Sequence, residues 1–282
     1  MGHAGPQALR QLGDKCLGAL LRGPATHKCT ACAGAKIHRI ISRRRPDQRS
    51  TKPFAKVHLD WTAFEESVNG FVRAMFITCD LTGMTVVYFC KNYTTDVSLA
   101  NLKDFQAILK TRYSLRMRMI HSDGELVGVR KVSQWFSQEG IGFESSPPNT
   151  QYQNGRAERA GGVIITKARS MRISAKLPHD LWVDIVDTAV YLDNRTPKAQ
   201  LNWESPYEHF YSWLADNHEI SGRRKPQLAH LKAYGCKAYD MTGDAQLKKN
   251  RFQRLNPRAH IGYLVGYDST KSLEFGFRIE ER

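Results

Sequence analysis

The sequence predicts an α/β chain built around a mixed five-stranded sheet with flanking helices. Three strand-like runs, VHLDWT, FVRAMFITCD and MTVVYFC, follow one another closely after Lys56. A helical stretch over Val97–Arg112 and a fourth strand-like run, RMRMIHSD, come next. Short connections between the first three runs favour antiparallel strands, so the order is β-β-β-α-β.

The following elements complete this core. Val129–Gly140 has the apolar spacing of a helix, IGFES follows as a fifth strand, and residues 145–155 form a loop rich in Pro, Asn and Gln. Helices are then predicted from about Arg156 to Arg172 and over Leu181–Arg195, where Thr196-Pro197 ends the pattern.

The two ends of the chain predict smaller units. Residues 4–22 are expected to form a short helix that Gly23-Pro24 ends, before a CTAC turn and a basic linker. After residue 221, three short β-like segments separated by polar turns predict a small β-barrel. The predicted domains are therefore residues 1–52, 53–220 and 221–282.

Composition points to a nucleic-acid partner. The formal net charge is +15, and basic residues cluster between positions 36 and 56 and between 223 and 258. Such segments suit binding to phosphates, although a general solubility charge is the simpler alternative. No apolar stretch approaches the roughly 20 residues of a membrane span, and we expect a soluble intracellular chain.

Three carboxylates carry the strongest chemical signal. Asp60 and Asp123 each end a strand-like run, and Glu158 lies just inside a predicted helix. Carboxylates that converge in this way could hold two divalent metals for in-line displacement at phosphorus, and hard oxygen ligands favour Mg²⁺ or Mn²⁺. Taken singly, each residue could instead be a turn former or a helix cap.

These residues and their surroundings resemble a copia-type retroelement integrase. The motif TQYQNGRAERAGG contains Glu158, and 34 residues separate Glu158 from Asp123, about one fewer than is usual in that family. GHAGPQALRQL, CTAC and GAKIHR resemble its zinc-binding pre-integrase module. SPYEHFY, KPQLAHLKAYGCKAY and AHIGYLVGYDSTKSLEF resemble the segment that follows its catalytic core.

The resemblance implies an RNase H-like core, preceded by a small zinc-knuckle-like helical segment and followed by an SH3-like β-barrel. It also implies a polynucleotidyl transferase that processes DNA 3′ ends and joins retroelement cDNA to target DNA in the nucleus. DNA is the expected partner, RNA a second candidate, and a homo-oligomer the expected assembly. A nuclease of the RNase H type is disfavoured, because the resemblance associates that activity with four carboxylates, one of them on the first helix of the core. In this chain that helix has only Asp96 at its start and Asp104 in its middle, and no Glu. The rival from another class is a non-catalytic nucleic-acid-binding remnant of a transposable element.

Further site residues follow from the resemblance. His3, Cys29 and Cys32 match three of four zinc ligands, and His27, His38 or water could fill the fourth position. The expected DNA contacts are Tyr152, Gln153, Asn154, Arg159 and Lys167, each of which could equally be a solvated surface residue. His58 and His121 each lie two residues before a catalytic Asp, and they either support the site or pack at the strand ends.

Overall fold

The computed structural model describes residues 4–18, 29–35, 50–122, 126, 128–145, 157–218, 224–241, 258–268 and 276–281. The helices are α1 (Pro6–Lys15), α2 (Thr30–Ala35), α3 (Thr95–Tyr113), α4 (Arg130–Glu139), α5 (Ala157–Ala175), α6 (Trp182–Arg195) and α7 (Pro206–His218). The strands are β1 (Lys56–Ala63), β2 (Arg73–Cys79), β3 (Thr85–Cys90), β4 (Met119–Ser122), β5 (Gly142–Ser145), β6 (Lys237–Met241), β7 (Ala259–Asp268) and β8 (Gly276–Glu281).

The central sheet has the strand order β3-β2-β1-β4-β5. β1 pairs antiparallel with β2, and β2 pairs antiparallel with β3, whereas β1–β4 and β4–β5 are parallel pairs. The parallel pairs require the crossovers that α3 and α4 supply. The topology confirms the predicted mixed sheet and the RNase H-like fold class.

Alternation along β1 and β2 divides the buried residues between two faces of this sheet. One face packs against α3, α4 and α7, and its buried residues include Val57, Leu59, Met75 and Ile77. The other face lies against α5 and α6, and Phe76 is fully buried in that layer. Asp60 of β1, which pairs with Phe76, therefore lies on the side covered by α5.

The helix α7 was not predicted from the sequence. Ser205 precedes it, and the Ser205 hydroxyl accepts a hydrogen bond from the Glu208 backbone N–H at 3.0 Å. Pro206 occupies the first helical position and Glu208 the third. The Ser205 hydroxyl thus caps the helix by satisfying one of the unpaired donors at its start, in the Ser-x-x-Glu pattern of a capping box.

The chain ends are packed onto the core. α1 is shorter at its C-terminal end than the helix predicted over residues 4–22. Its Leu12 and the following Cys16 contact Leu228, and Leu17 forms a parallel bridge with Gln227.

No helix of the described residues is long and apolar enough to cross a membrane.

The described C-terminal strands form one three-stranded sheet in the order β6-β7-β8. Leu264 and Val265 of β7 are buried in the same layer as α5 and α6, and Thr188 of α6 donates to the Val265 carbonyl at 3.3 Å. This sheet is thus packed on the core. The closed SH3-like barrel stays a prediction, as do the three domain boundaries.

Candidate active site

Asp60 lies in β1, where it is paired with Phe76 of β2, and its side chain is half-buried. The Asp60 Oδ1 atom accepts a hydrogen bond from the Trp61 backbone N–H at 3.0 Å. This bond fixes one carboxylate oxygen close to its own strand.

Helix α5 crosses β1 directly over this carboxylate. A Cβ atom added at Gly161 would lie only 2.5 Å from Asp60 Oδ2 and 3.9 Å from Cδ2 of Phe76. No residue with a side chain could take this position without displacing the helix or the carboxylate. The glycine therefore lets the backbone of α5 approach Asp60 closely.

Glu158 lies in the first turn of α5, three residues before Gly161, and its side chain is outside the described residues. Asp123 is also outside them, although it directly follows Ser122, the last residue of β4. The described residues contain no group of three or more His, Cys, Asp or Glu side chains that could hold a metal. Only Asp60 of the three predicted carboxylates therefore has a described environment.

His58 and His121 face each other across β1 and β4, with ring centroids 5.3 Å apart. His58 Nε2 lies 3.0 Å from Asp80 Oδ1, and both side chains are buried. Burial and the neighbouring His58 lower the pKa of His121, because both disfavour its cationic form. Of the two expectations for these residues, strand-end packing describes the observed contacts.

Lys167 does not lie where a DNA contact requires it. It is only 8% exposed, and its ammonium group lies 2.6 Å from Asp193 Oδ1 on α6. Lys198 contacts the other oxygen of Asp193 at 2.6 Å. The expected phosphate contact of Lys167 is therefore corrected to a structural role, because its charge is buried and paired.

The ionised form of Asp193 depends on these two lysines. Burial alone would raise its pKa, but the positive charges and hydrogen bonds of Lys167 and Lys198 outweigh that effect and hold the pKa far below its ordinary value. Removal of one partner would leave a buried charge uncompensated. The cluster therefore fixes α5 against α6 and does not offer a cation to a ligand.

Cys29 and Cys32, two of the predicted zinc ligands, lie close together at the start of α2. Cys29 immediately precedes α2, and the Cys32 backbone N–H donates to Cys29 Sγ at 3.4 Å. Both thiols are half-buried, and α2 packs against α5. His3, His27 and His38, the other zinc ligands considered, lie outside the described residues, so the zinc site stays a prediction.

The remaining predicted DNA contacts are not tested by the structure. Tyr152, Gln153 and Asn154 lie outside the described residues. Arg159 lies in the first turn of α5, but its side chain is outside the described residues. Sequence reasoning missed Gly161, although a glycine pair within an otherwise helical pattern is a signal for close packing or function.

Comparisons with known proteins give the family. The retrovirus-related Pol polyprotein from transposon TNT 1-94 of Nicotiana tabacum is 30% identical over 283 residues, which cover 99% of this chain and 20% of that protein. The corresponding protein from transposon RE2 of Arabidopsis thaliana is 26% identical over 258 residues, 88% of this chain and 16% of that protein. The chain is thus homologous to one region of copia-type retrotransposon Pol polyproteins. It spans a fifth or less of the length of these relatives.

Two solved structures are similar to this chain in fold. The catalytic core domain of the HTLV-2 integrase in complex with magnesium has a TM-score of 0.44 at 13% identity, and the match covers 57% of this chain and 99% of that one. A simian T-cell lymphotropic virus intasome in complex with the PP2A regulatory subunit B56 gamma has a TM-score of 0.49 at 16% identity, with 99% and 95% covered. No protein-family model matches the chain.

Proposed function

We propose that this Pol region is a metal-dependent polynucleotidyl transferase whose catalytic carboxylates are Asp60, Asp123 and Glu158. The observation that carries the proposal is the crossing of α5 over β1. Gly161 places the backbone of α5 against Asp60, and position 158 lies one turn earlier on the same side of the helix. The fold thus brings the helix that bears Glu158 to the strand that bears Asp60.

The register of β1 and β4 supports a place for Asp123 in the same group. His58 pairs with His121 in this parallel ladder, and each histidine lies two residues before its aspartate. A continuation of that register would bring Asp60 and Asp123 level with each other. Two neighbouring strands and one helix would then each supply a single carboxylate.

The donor set fits a hard divalent cation. Carboxylate oxygens are the ligands that Mg²⁺ and Mn²⁺ prefer, and all three proposed ligands are carboxylates. Bound there, such ions would supply Lewis acidity at the attacking hydroxyl and at the leaving oxygen. The chain itself orients the carboxylates: the Trp61 N–H holds Asp60 Oδ1, and α5 determines the approach of position 158.

DNA is the proposed substrate, because a chain of net charge +15 offers a favourable field for a polyanion. In the proposed reaction a DNA 3′-hydroxyl attacks a phosphodiester of the target strand, and the 3′-hydroxyl on the other side of that bond leaves. Removal of nucleotides from a cDNA 3′ end uses water as the attacking group. Action in the nucleus and assembly as a homo-oligomer belong to the same proposal, since integration joins two cDNA ends to chromosomal DNA.

The test compares the natural chain with Glu158→Gln in strand transfer and 3′-end nicking on short duplexes with Mg²⁺ or Mn²⁺. Glu65→Gln is the matched control, because Glu65 has a side chain that is 88% exposed and lies between β1 and β2. We expect Glu158→Gln to abolish both reactions while binding DNA normally, and Glu65→Gln to remain active. If the natural chain binds DNA but neither cuts nor joins it, the region is a nucleic-acid-binding remnant.

A further inference from the structure

Arg195, the last residue of α6, is a half-buried cation held by aromatic rings. Its guanidinium carbon lies 3.5 Å from the centroid of the Tyr191 ring and 5.0 Å from that of Tyr207 on α7. We call these three residues the Arg195 cage. Contact with the tyrosine rings holds the planar guanidinium in a defined orientation, so it loses less conformational freedom when its N–H groups bind a ligand.

Most of the hydrogen-bonding capacity of this guanidinium is unused. Arg195 Nη1 donates to the Tyr191 carbonyl in the last turn of α6 at 3.1 Å. A guanidinium carries several N–H donors in a fixed fork, and no other hydrogen bond of this side chain occurs in the part of the chain that the structure describes. None of its nitrogens is among the buried atoms there that lack a partner, so the unused donors reach solvent.

The positive charge of Arg195 is not compensated by a neighbouring acid. Burial lowers the pKa of its guanidinium, and the groups that oppose this effect are tyrosines, with no carboxylate of the described residues among them. Burial raises the pKa of Tyr191 and of Tyr207, so both phenols are neutral near pH 7 and cannot act as counter-ions. By contrast, the exposed Arg224 lies 3.0 Å from Asp216 Oδ1.

A purely structural role accounts for only part of this arrangement. A cation at a helix C-terminus interacts favourably with the helix dipole, by about 0.3–1 kcal/mol, and the bond to the Tyr191 carbonyl satisfies one acceptor of the last turn. An exposed lysine at position 195 could do both. Partial burial of an uncompensated charge is unfavourable, and the binding of an anion would offset this cost.

The surroundings of the Arg195 cage favour a phosphate group of a polynucleotide as that anion. No hydrogen bond of the Tyr207 hydroxyl contributes to its pKa, and this hydroxyl is a second open donor on a ring that the guanidinium contacts. The Tyr191 hydroxyl lies 2.8 Å from His230 Nε2, and His230 belongs to the basic segment of residues 223–258. Guanidinium groups bind phosphate through two parallel hydrogen bonds, and the net charge of +15 attracts a polyanion.

The Arg195 cage and the candidate active site lie on different sides of α6. Asp193, two residues before Arg195, contacts Lys167 of α5 at 2.6 Å. Two residues are about 200° apart around a helix axis, so Arg195 faces away from α5 and from Asp60. The same ion pair fixes α6 to α5, and Gly161 of α5 lies against Asp60. The cage is therefore separate from the catalytic carboxylates but held at a fixed distance from them.

We propose that the Arg195 cage binds a backbone phosphate of duplex DNA at a second surface, away from Asp60. This inference rests on the proposed function only in taking DNA as the partner. Arg195 would donate through the open part of its fork, and Tyr207 through its hydroxyl. Arg195 is a positioning residue, because it does not contact the reacting atoms. Backbone phosphates carry no sequence information, so the contact should be the same on unrelated sequences.

The test measures the binding of labelled duplexes of two unrelated sequences by fluorescence anisotropy over a range of salt concentrations. The variants are Arg195→Gln, Arg195→Lys and Tyr207→Phe, each in the full chain carrying Glu158→Gln so that no DNA is consumed. Arg224→Gln is the matched control. It removes the same charge from an arginine that is 52% exposed and already paired with Asp216.

We expect Arg195→Gln to weaken binding of both duplexes about 5- to 10-fold near 0.1 M salt and to reduce the salt slope by about one. Arg195→Lys should keep the slope but weaken binding by about threefold, because the charge is retained and the planar fork is lost. Tyr207→Phe keeps the ring and loses one donor, so it should weaken binding by about two- to threefold without changing the slope. Arg224→Gln should change affinity by less than about twofold.

A second measurement tests whether DNA reaches the cage. The photo-reactive residue p-benzoylphenylalanine replaces Tyr207 in one protein and Tyr88 in the control. Tyr88 is also half-buried, but its hydroxyl already donates to Asp104 at 2.9 Å. Irradiation with a bound duplex should crosslink DNA to position 207 and not to position 88. A purely structural Arg195 would give no crosslink at either position.

Equal effects of Arg195→Gln and Arg224→Gln, or no crosslink at position 207, would overturn the proposal. It would also be overturned if Arg195→Gln abolished binding of a polyglutamate peptide and left DNA binding unchanged, because the partner would then be an acidic protein. If Arg195→Gln unfolds the chain in a thermal melt, Arg195→Lys and the crosslink decide the question. Strand transfer by the chain with natural Glu158 is measured separately. Its absence would count against the catalytic proposal, whereas the binding series tests only the phosphate contact.

Discussion

The close approach of α5 to β1 predicts opposite outcomes for two neighbouring glycines. A Cβ at Gly161 would lie 2.5 Å from Asp60 Oδ2, where ordinary van der Waals contact begins at 3.4 Å. At Gly162, nothing lies within 4 Å of an added Cβ. Gly161→Ala must therefore displace helix or carboxylate by almost 1 Å, whereas Gly162→Ala fits the existing structure.

The magnitudes follow from two opposing effects. Alanine is better than glycine inside a helix by about 1 kcal/mol, so Gly162→Ala should raise the free energy of unfolding by up to that amount. Gly161→Ala gains the same propensity but adds overpacking of about 1–3 kcal/mol. Its net change should be between roughly zero and 2 kcal/mol of destabilisation. Activity is more sensitive, because a misplacement of about 1 Å in a catalytic site can cost about 10²-fold.

The assay pairs urea denaturation of both variants with their rates of strand transfer. We expect Gly162→Ala to be as active as the natural chain and at least as stable. Gly161→Ala should remain folded yet lose about 10²-fold in rate, with DNA binding within about twofold of normal. Equal rates and equal stabilities for the two variants would refute the inference that the backbone of α5 must contact Asp60.

The remaining predictions concern the buried charges, the helix cap and the metal. Asp193→Ala should lower the free energy of unfolding by about 3–5 kcal/mol, because it removes the buried carboxylate that the ammonium groups of Lys167 and Lys198 both contact. Asp216→Ala, which breaks a pair with 59% and 52% exposed side chains, should cost under about 1 kcal/mol in the same urea titration. The folded-state pKa of Asp193 is depressed, so its contribution is complete above the unfolded pKa near 3.9 and is lost as the pH falls below it; Asp193→Ala should therefore flatten the pH dependence of stability below about pH 5 relative to the natural chain. Ser205→Ala removes the side-chain acceptor for the Glu208 N–H and should cost about 0.5–2 kcal/mol in the same titration. EDTA should stop strand transfer, and added Mg²⁺ should restore it, in an assay where DNA binding is monitored in parallel.

Local patterns were sufficient to predict the core of the fold. The first three strands have short connections and strong apolar content, and the predicted helix over Val97–Arg112 differs from α3 by only a few residues. Fraying and assignment of helix ends account for differences of that size. Because short connections make the first three strands antiparallel and helices separate the later strands, few arrangements of the sheet are compatible with this order of elements. The mixed sheet was therefore predictable.

The errors arose where a signal was overlooked or where the decisive contact is distant in sequence. Ser205 precedes α7, which begins at Pro206 and has Glu208 at its third position; this Ser-x-x-Glu spacing is the sequence pattern of a capping box. By contrast, no local pattern indicates that β7 packs against α6, because Thr188 and Val265 are far apart in the chain. Tertiary packing determines this contact, and the boundary of the predicted C-terminal module stays a prediction.

Lys167 illustrates the same limit within the candidate site. Its position on α5 was predicted correctly, but its partner Asp193 lies 26 residues away on another helix. Asn194, the next residue on α6, accepts from the Thr85 backbone N–H at 2.9 Å and donates to the Thr85 carbonyl at 2.7 Å. α6 is thus joined to α5 through an ion pair and to the edge strand β3 through two hydrogen bonds. Because Lys167 is six residues, or about 9 Å, from Gly161, the ion pair can fix the body of α5 while the glycine determines its approach to Asp60.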